Sequence, residues 1–375
     1  MANLKNTNID DTGFLKLPAG TTAQQPISPQ SGMVRFNQND VSLEIYDANN
    51  QWKIAQRPIV PIQATGGEIR DWLIENVIYR VHAFKSTGTS TFNVTNAGNY
   101  GKIDVLVVAG GGNGGARRGG GGGAGGVVFK PNHPITATSY SIVVGAGGAP
   151  VARFSGIQNN GQNSTAFGLT AIGGGAGGNG ASGNANGLNG GSGGGGSIPA
   201  GSSTQTTFTG AFSFGNNGGN GVSGDNTGGG GGGAGAPGQP AQGTRQAGNG
   251  GIGVNFSHVF TANYGEEGFF GGGGGGSMND NSTPRQIPGA GGKGGGGAGA
   301  YGNAITFGGG SGNINPPMAG FFRPYNGLPN TGGGGGGTNS NTTAADAWVA
   351  QGFTGNGGGG SGIVLIRYPI EIIYN

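Results

Sequence analysis

Cysteine is absent from this chain of 375 residues, and charged side chains make up only 9% of it. The lack of cysteine excludes disulfides and most structural zinc sites. The net charge of +3 is spread thinly, whereas nucleic-acid binding requires a clustered basic face. No apolar run approaches the roughly 20 residues that span a bilayer, and residues 1–9 lack the apolar core of a signal peptide. We therefore expect a soluble protein made in a cytoplasm, without membrane insertion or a nucleic-acid partner.

Glycine, in contrast, supplies 96 residues and forms seven runs of four to six, at 119–123, 193–196, 228–233, 271–276, 294–297, 332–337 and 357–360. Two interpretations are open: a flexible linker, or a packed bundle of extended glycine helices. A disordered linker carries few large apolar residues, but this chain has 18 Phe and 9 Tyr. Short apolar segments also flank the glycine region, at 105–108, 140–144 and 363–366. The packed polyglycine-II bundle is therefore favoured.

The composition changes near residue 62, which divides the chain into an N-terminal module, 1–62, and a glycine-rich domain, 63–375. Three short strands are predicted in the module, at 33–36, 43–46 and 51–54, with turns rich in Asn and Asp between them. A module of this size buries little surface alone, so association with copies of itself would stabilise it.

Strands are also predicted at both ends of the glycine-rich domain, where they would meet in one sheet. The predicted segments are 71–84, 91–95, 103–108, 140–144 and 361–368. Between the runs, long segments are predicted to project from the bundle as loops: 198–227, 237–270, 277–288, 301–330 and 338–356.

Chemical motifs are weak. At this glycine content G-x-G-x-x-G arises by chance, and the histidines His82, His133 and His258 lack metal-ligand spacing. Glu266 and Glu267 are adjacent, so in an extended segment they point to opposite faces, and solvated loop charge is favoured over a glycosidase pair. One Arg pair, 117–118, is no RNA-binding tract and is predicted to cap or solvate a bundle end. We expect no enzyme activity, no cofactor and no metal.

Aromatic residues near the glycine runs are the sharper candidates. Those in predicted loops could contact a receptor or could pack over the glycine surface and seal the bundle edge: Phe269, Phe270, Phe321, Phe322, Tyr325 and Trp348. In the N-terminal module, the candidates for attachment or for an oligomer interface are Phe14, Leu17, Met33, Phe36, Tyr46 and Trp52.

Several ordered motifs resemble the glycine-rich domain of bacteriophage tail-fibre and adhesin proteins. They span about residues 75–370 and include YRVHAFKSTGTSTF at 79–92, VLVVAGGG at 105–112, YSIVVGAGG at 140–148, TAFGLTAIGGG at 165–175 and GSGIVLIRY at 360–368. LPAGTT at 17–22 and GMVRFN at 32–37 resemble a short module found in structural proteins of marine phages, especially those of cyanobacteria.

The resemblance implies an all-β fold: an N-terminal β module, then a β-sandwich-like domain extended by a polyglycine-II bundle with projecting loops. It also implies a virion protein, expected as a tail-fibre adhesin that binds a host cell-surface receptor, either a glycan or an outer-membrane protein. Its other expected partners are virion structural proteins and itself, as a homo-oligomer with a trimer favoured by analogy. The alternative is a capsid-decorating or head-fibre protein without specific receptor binding. A glycan depolymerase and an RNA-binding protein have less support.

Overall fold

The computed structural model describes residues 17–39, 42–54, 60–152, 155–180, 185–222, 227–243, 246–278, 287–300, 324–339 and 355–372. The chain divides into two compact units, Met1–Ile59 and Val60–Asn375. The fold is nearly all β, as predicted. Within the described residues no helix is both long enough and apolar enough to cross a membrane.

The first unit contains a four-stranded sheet. Its strands, in spatial order, are β1 (Ala19–Gly20), β2 (Val34–Asn37), β3 (Ser42–Tyr46) and β4 (Trp52–Ile54), with a 3-10 helix at Thr22–Gln24. The turn between β3 and β4 is fixed by Asp47, whose Oδ1 accepts the amides of Asn49 and Gln51, both at 2.9 Å. The three predicted strands of this module are confirmed.

The second unit is built on two larger sheets and one short ribbon. Its strands are β5 (Gln63–Thr65), β6 (Glu68–Ile74), β7 (Val77–Phe84), β8 (Gly88–Asn96), β9 (Lys102–Val108), β10 (Val127–Pro134), β11 (Ser139–Val144), β12 (Ser164–Ala166), β13 (Leu169–Ala171), β14 (Phe212–Phe214), β15 (Val254–Asn255), β16 (Phe269–Phe270) and β17 (Ile363–Ile372). One sheet has the order β14-β10-β9-β17-β7-β6, and the other β13-β12-β11-β8-β5. A single helical turn, α1, spans Ser257–Phe260.

The six-stranded sheet is buried on both faces. On one face, residues such as Val105, Val107 and Ile366 pack with Phe92 and Ile142 of the five-stranded sheet. The opposite face packs under residues 254–270, which include α1. This double burial explains why β9 and β17 read as continuous apolar runs rather than as alternating ones. The prediction that the two ends of the glycine region meet in one sheet is confirmed, because β17 pairs with β9.

Between these strands the chain crosses the bundle repeatedly in extended segments, each of which we call a pass. The pass 119–126 shows the geometry of the bundle. Three successive amides donate to three different segments: Gly121 to Gly229 at 3.0 Å, Gly122 to Gly335 at 2.8 Å and Gly123 to Gly175 at 2.8 Å. The next three amides return to the same three segments, at Gly232, Gly332 and Ile172. A pattern that repeats every third residue is that of the three-fold polyglycine-II helix, which has no internal hydrogen bonds.

Six neighbouring passes surround this central one. It donates to the passes containing Gly175, Gly229 and Gly335, and its carbonyls accept amides from the passes containing Gly112, Gly195 and Gly274. Side chains are excluded here because the backbones are in contact: a Cβ built on Gly121 would lie 2.0 Å from the carbonyl oxygen of Gly274. Glycine is therefore required by close backbone approach, and the linker interpretation is wrong for the described runs.

Several predicted loop boundaries are wrong. Residues 215–221 and 246–253, assigned to projecting loops, run along the bundle, where Gly218 donates to Gly201 at 3.0 Å and Gly251 to Gly231 at 2.9 Å. These passes lie at the surface of the bundle, so only the side turned to a neighbour needs glycine. The exposed Ile252 shows that the outward side accepts a large residue. Glycines placed singly or in pairs are thus enough to specify a surface pass, whereas an interior pass is specified by a long glycine run.

We predict that Gly121→Ala lowers the free energy of unfolding by about 3 kcal/mol or more, because the new methyl group displaces a neighbouring backbone and its hydrogen bonds. Chemical denaturation of the purified chain measures the change. Gly101→Ala is the matched control: Gly101 has φ +59° but open space around its Cβ position. The Gly101→Ala substitution should lower the free energy of unfolding only by the cost of placing alanine in the left-handed conformation, about 1 kcal/mol. Equal costs for the two variants would contradict the packed bundle.

Candidate receptor-contact surface

The bundle has two different ends. At one end, which we call the base, passes join the strands of the six-stranded sheet. Here the Gly126 amide donates to the carbonyl of Ile172 and the Gly271 amide to that of Thr331, both at 2.8 Å. The opposite end, which we call the distal end, is formed by Arg117, Arg118, Ser197, Ser277 and Thr338. Arg117 and Arg118 have φ of +52° and +70° and make the turn between two adjacent passes. The Arg pair therefore lies at a bundle end, as predicted.

Polar side chains replace glycine just inside the distal end and hold its backbones together. The Ser277 hydroxyl lies 3.0 Å from the carbonyl oxygen of Gly119 and 2.8 Å from that of Thr338. Asn179 Oδ1 accepts the amide of Ala116 at 2.6 Å. Both side chains are buried. They satisfy backbone groups where no further glycine pass is available, and so they end the three-fold helices in a defined layer.

The distal end is also where six segments without a run of four or more glycines are attached. Passes that end or begin there border the segments 181–184, 223–226, 244–245, 279–286, 301–323 and 340–354. For example, Gly180 donates to Ala116 at 3.1 Å, and Ala300 donates to Gly337 at 2.8 Å. Phe321, Phe322 and Trp348 belong to two of these segments and lie outside the described residues.

Phe269 and Phe270 lie at the base, not at the distal end. They form β16 and pair with β15 in the cover of the six-stranded sheet. Phe270 has no exposure and belongs to the core cluster with Leu106 and Val127, so it is a packing residue and cannot contact a receptor. Phe269 is half-buried, and its ring lies 4.6 Å from Lys293 Nζ. The alternative that aromatic residues pack against the bundle edge thus describes this pair. Sequence position next to a glycine run did not reveal which end of the bundle the pair would occupy.

Tyr325 is half-buried and lies within the distal half of the bundle. Its amide donates to Ala298 at 3.0 Å, and its carbonyl accepts from Gly336 at 2.8 Å. Tyr325 therefore lies about one helical turn from the distal end and remains a candidate receptor-contact residue.

Glu266 has a structural function that the sequence did not predict. Its Oε2 accepts the amides of Gly294 and Gly295, at 2.6 and 2.7 Å, where two passes turn at the base. Both glycines have positive φ, so their amides converge on one point and form an anion-binding nest. Glu267 points elsewhere: it is exposed and pairs with Lys293, whose hydrogen bond lowers the pKa of Glu267. The interpretation as solvated loop charge is right for Glu267 and wrong for Glu266.

The histidine with the best-defined environment is structural. His82 is buried between the sheets; its Nδ1 donates to the carbonyl of Gly66 at 2.7 Å and its Nε2 accepts from the Tyr368 hydroxyl at 2.8 Å. Burial lowers the pKa of His82 and raises that of Tyr368 to about 12, so both are neutral near pH 7. Across the described ranges, no group of three or more His, Cys, Asp or Glu is placed to hold a metal ion.

The interface candidates of the first unit fall on two faces of its sheet. Register places Phe36 opposite Leu43, and Val34 opposite Ile45, on a partly exposed apolar face. Tyr46 and Trp52 lie on the other face, with ring centroids 5.3 Å apart. That second face buries the ion pair of Arg35 and Glu44, whose atoms are 3.7 Å apart.

Two further interface candidates lie at the edges of this sheet. Leu17 is half-buried, and Met33 is 39% exposed, with its sulfur accepting the Gln30 amide at 3.3 Å. Phe14 lies outside the described residues.

A family model described as a glycine-rich domain matches residues 86–369, more than half of the chain. The match covers the sandwich from β8 onward, together with the whole bundle. No curated protein matches the chain.

We predict that Glu266→Gln lowers the free energy of unfolding by about 1–2 kcal/mol, because hydrogen bonds to a charged acceptor are the stronger ones. Glu267→Gln is the matched control and should change stability little, since its ion pair is exposed. Denaturation midpoints of the two variants give the comparison. If Glu267→Gln lowered the stability as much as Glu266→Gln, the inference that Glu266 caps the turn at Gly294 and Gly295 would be contradicted.

Proposed function

This chain belongs to the glycine-rich domain family, and from that membership together with its motifs we propose that it is a bacteriophage tail-fibre adhesin. In this proposal the first unit attaches the protein to the virion and to copies of itself. The bundle acts as a rigid support, and its distal end contacts a receptor on the host cell surface.

One observation carries the proposal: six segments without a run of four or more glycines, 181–184, 223–226, 244–245, 279–286, 301–323 and 340–354, are attached at the distal end. The base is occupied by the sandwich and its cover, so variable sequence cannot be inserted there without disturbing the core. A rigid scaffold that carries its connecting segments at one end is an arrangement in which binding residues often lie on those segments.

Receptor contact is assigned to the aromatic residues of these segments. Phe321 and Phe322 lie between Ala300 and Tyr325, whose passes both reach the distal half, and Trp348 lies between Asn339 and Asn356. Aromatic residues dominate many binding hot spots because they bury large areas at a small entropic cost. Individually weak contacts would be strengthened by the several copies of a fibre.

Self-association is assigned to the apolar face of the first unit, formed by Val34, Phe36, Leu43 and Ile45. Ile45 is 38% exposed although it lies in the middle of a strand. A unit of this size buries too small a fraction of its surface to be stable alone. A second copy is the favoured occupant of this face, since related copies are already gathered in a fibre.

Immunogold electron microscopy of virions, with antibody raised against the purified full chain, tests the virion assignment. Label on tail fibres is the expected result, and a distal-end antibody should mark their tips. Label on the capsid would overturn the tail-fibre assignment in favour of a decorating protein. Virions without label would overturn the virion assignment altogether.

Sedimentation equilibrium tests the self-association. We expect the full chain to be an oligomer, with a trimer favoured, and Ile45→Asp to dissociate it because the charge would be buried. Ile27→Asp is the matched control: Ile27 is fully exposed in the same unit, outside the sheet. A monomeric full chain, or equal behaviour of the two variants, would contradict this interface.

A further inference from the structure

The six-stranded sheet carries a cleft of about 330 Å³, and no residue of a glycine run lines it. It lies beside Lys102, at the start of β9, whereas the other end of β9 leads into the bundle. Three aromatic residues line it: Tyr79, Tyr100 and Phe129. Tyr100 is 47% exposed, so part of its side chain is accessible from solvent.

The floor of the cleft is a rigid, charge-balanced pair. Arg367 lies directly opposite Asp104, and its Nη2 and Nε are 2.7 and 3.1 Å from Asp104 Oδ2. Its remaining nitrogen, Nη1, donates to the carbonyl of Val259 at 2.6 Å. The guanidinium also lies 4.2 Å from the ring centroid of Tyr79. These partners fix Arg367 and satisfy its charge, so the pair shapes the cleft without attracting a ligand ion.

Asn132 provides hydrogen-bonding capacity on the wall of the cleft. It lies in the bulge of β10 between Lys130 and His133, with φ +52°, and its amide donates to Asp104 Oδ1 at 3.0 Å. Its Oδ1 accepts the Tyr100 hydroxyl at 2.9 Å. This bond orients the side-chain amide, so that Nδ2 presents two donors next to an exposed aromatic ring.

Lys102 gives the cleft a surplus positive charge. It is exposed, and it makes no ion pair with any carboxylate of the described residues. Because Asp104 is already paired with Arg367, the charged lining residues carry one unbalanced positive charge, on Lys102. An anionic group of a ligand would therefore be favoured at this position.

We propose that this cleft binds one acidic monosaccharide unit, that is, a sugar ring bearing a carboxylate. The exposed ring of Tyr100 offers a flat apolar surface to the C–H face of the sugar. Asn132 Nδ2 donates to ring hydroxyls, and the Lys102 ammonium pairs with the carboxylate. The volume suits one small ring with a few polar contacts. A single surplus cation is too little for a phosphate-rich ligand. The site goes beyond the proposed function and does not depend on it.

Saturation-transfer NMR and titration with the full chain test this site, using glucuronate and galacturonate as probes and glucose and galactose as neutral counterparts. The acidic sugars should bind with dissociation constants of about 1 mM, and their neutral counterparts about tenfold more weakly. Lys102→Gln should remove this preference for the acidic sugars. Tyr100→Ala should weaken all binding by about tenfold, while Tyr100→Phe, which retains the ring, should retain most of it.

Lys53→Gln is the control for loss of an exposed lysine, because Lys53 does not line the cleft. Thermal melts establish that each variant is folded. Three results would each overturn the proposal: no transfer to any of the four sugars at about 20 mM, binding unaffected by Tyr100→Ala, or no preference for the acidic sugars. Since the assay uses purified protein and sugars, its failure would leave the assignment to virions untouched.

Discussion

The structure depends on one constraint: an extended backbone without internal hydrogen bonds must satisfy every buried amide and carbonyl from its neighbours. The pass 119–126 meets it by donating to three passes and accepting from three others. Six neighbours can come that close only if none of them carries a Cβ at the contact, and the Cβ position of Gly121, 2.0 Å from a carbonyl oxygen, shows how little space remains. Glycine has the largest ordering entropy of any residue, so only a cooperative array offsets the cost.

The same constraint decides where function can lie. Inside the bundle glycine predominates and the few side chains, such as those of Ala124 and Ser192, are fully buried, so chemistry is confined to its surface passes, its two ends and the sandwich. The base is held by apolar packing around Phe270 and by the Glu266 carboxylate, which caps a turn between passes. At the distal end, Ser277 and Asn179 terminate the array, and the six segments without a run of four or more glycines attach there. Receptor contact at that end and sugar binding in the cleft at β9 would give the second unit two separated binding sites.

Much of this fold is readable from the sequence. Short apolar segments bounded by glycine predicted β9, β11 and β17, and the double burial of β9 and β17 follows from their continuous rather than alternating apolar residues. The bundle itself follows from long glycine runs interleaved with such strands.

The rest of the fold and of the candidate sites depends on contacts between residues far apart in the sequence, which local sequence patterns do not encode. Surface passes such as 215–221 carry glycines only singly or in pairs, and they resemble loops until their neighbours are known. Phe270 adjoins a glycine run at the base, whereas an equally placed aromatic could adjoin the distal end, because run order and direction leave no mark on composition. Glu266 acts on amides 28 and 29 residues away, so its cap was invisible to local reasoning. The cleft joins residues of four strands distant in sequence, including Lys102 and Arg367.

Native-state hydrogen exchange, followed by mass spectrometry on peptides that cover residues 119–126, tests the bundle most directly. If these amides donate to three surrounding passes inside the bundle, they should exchange only through global unfolding, as slowly as those of β9 and β17. Exchange at the rate of an unstructured glycine peptide would contradict the bundle and restore the flexible-linker interpretation.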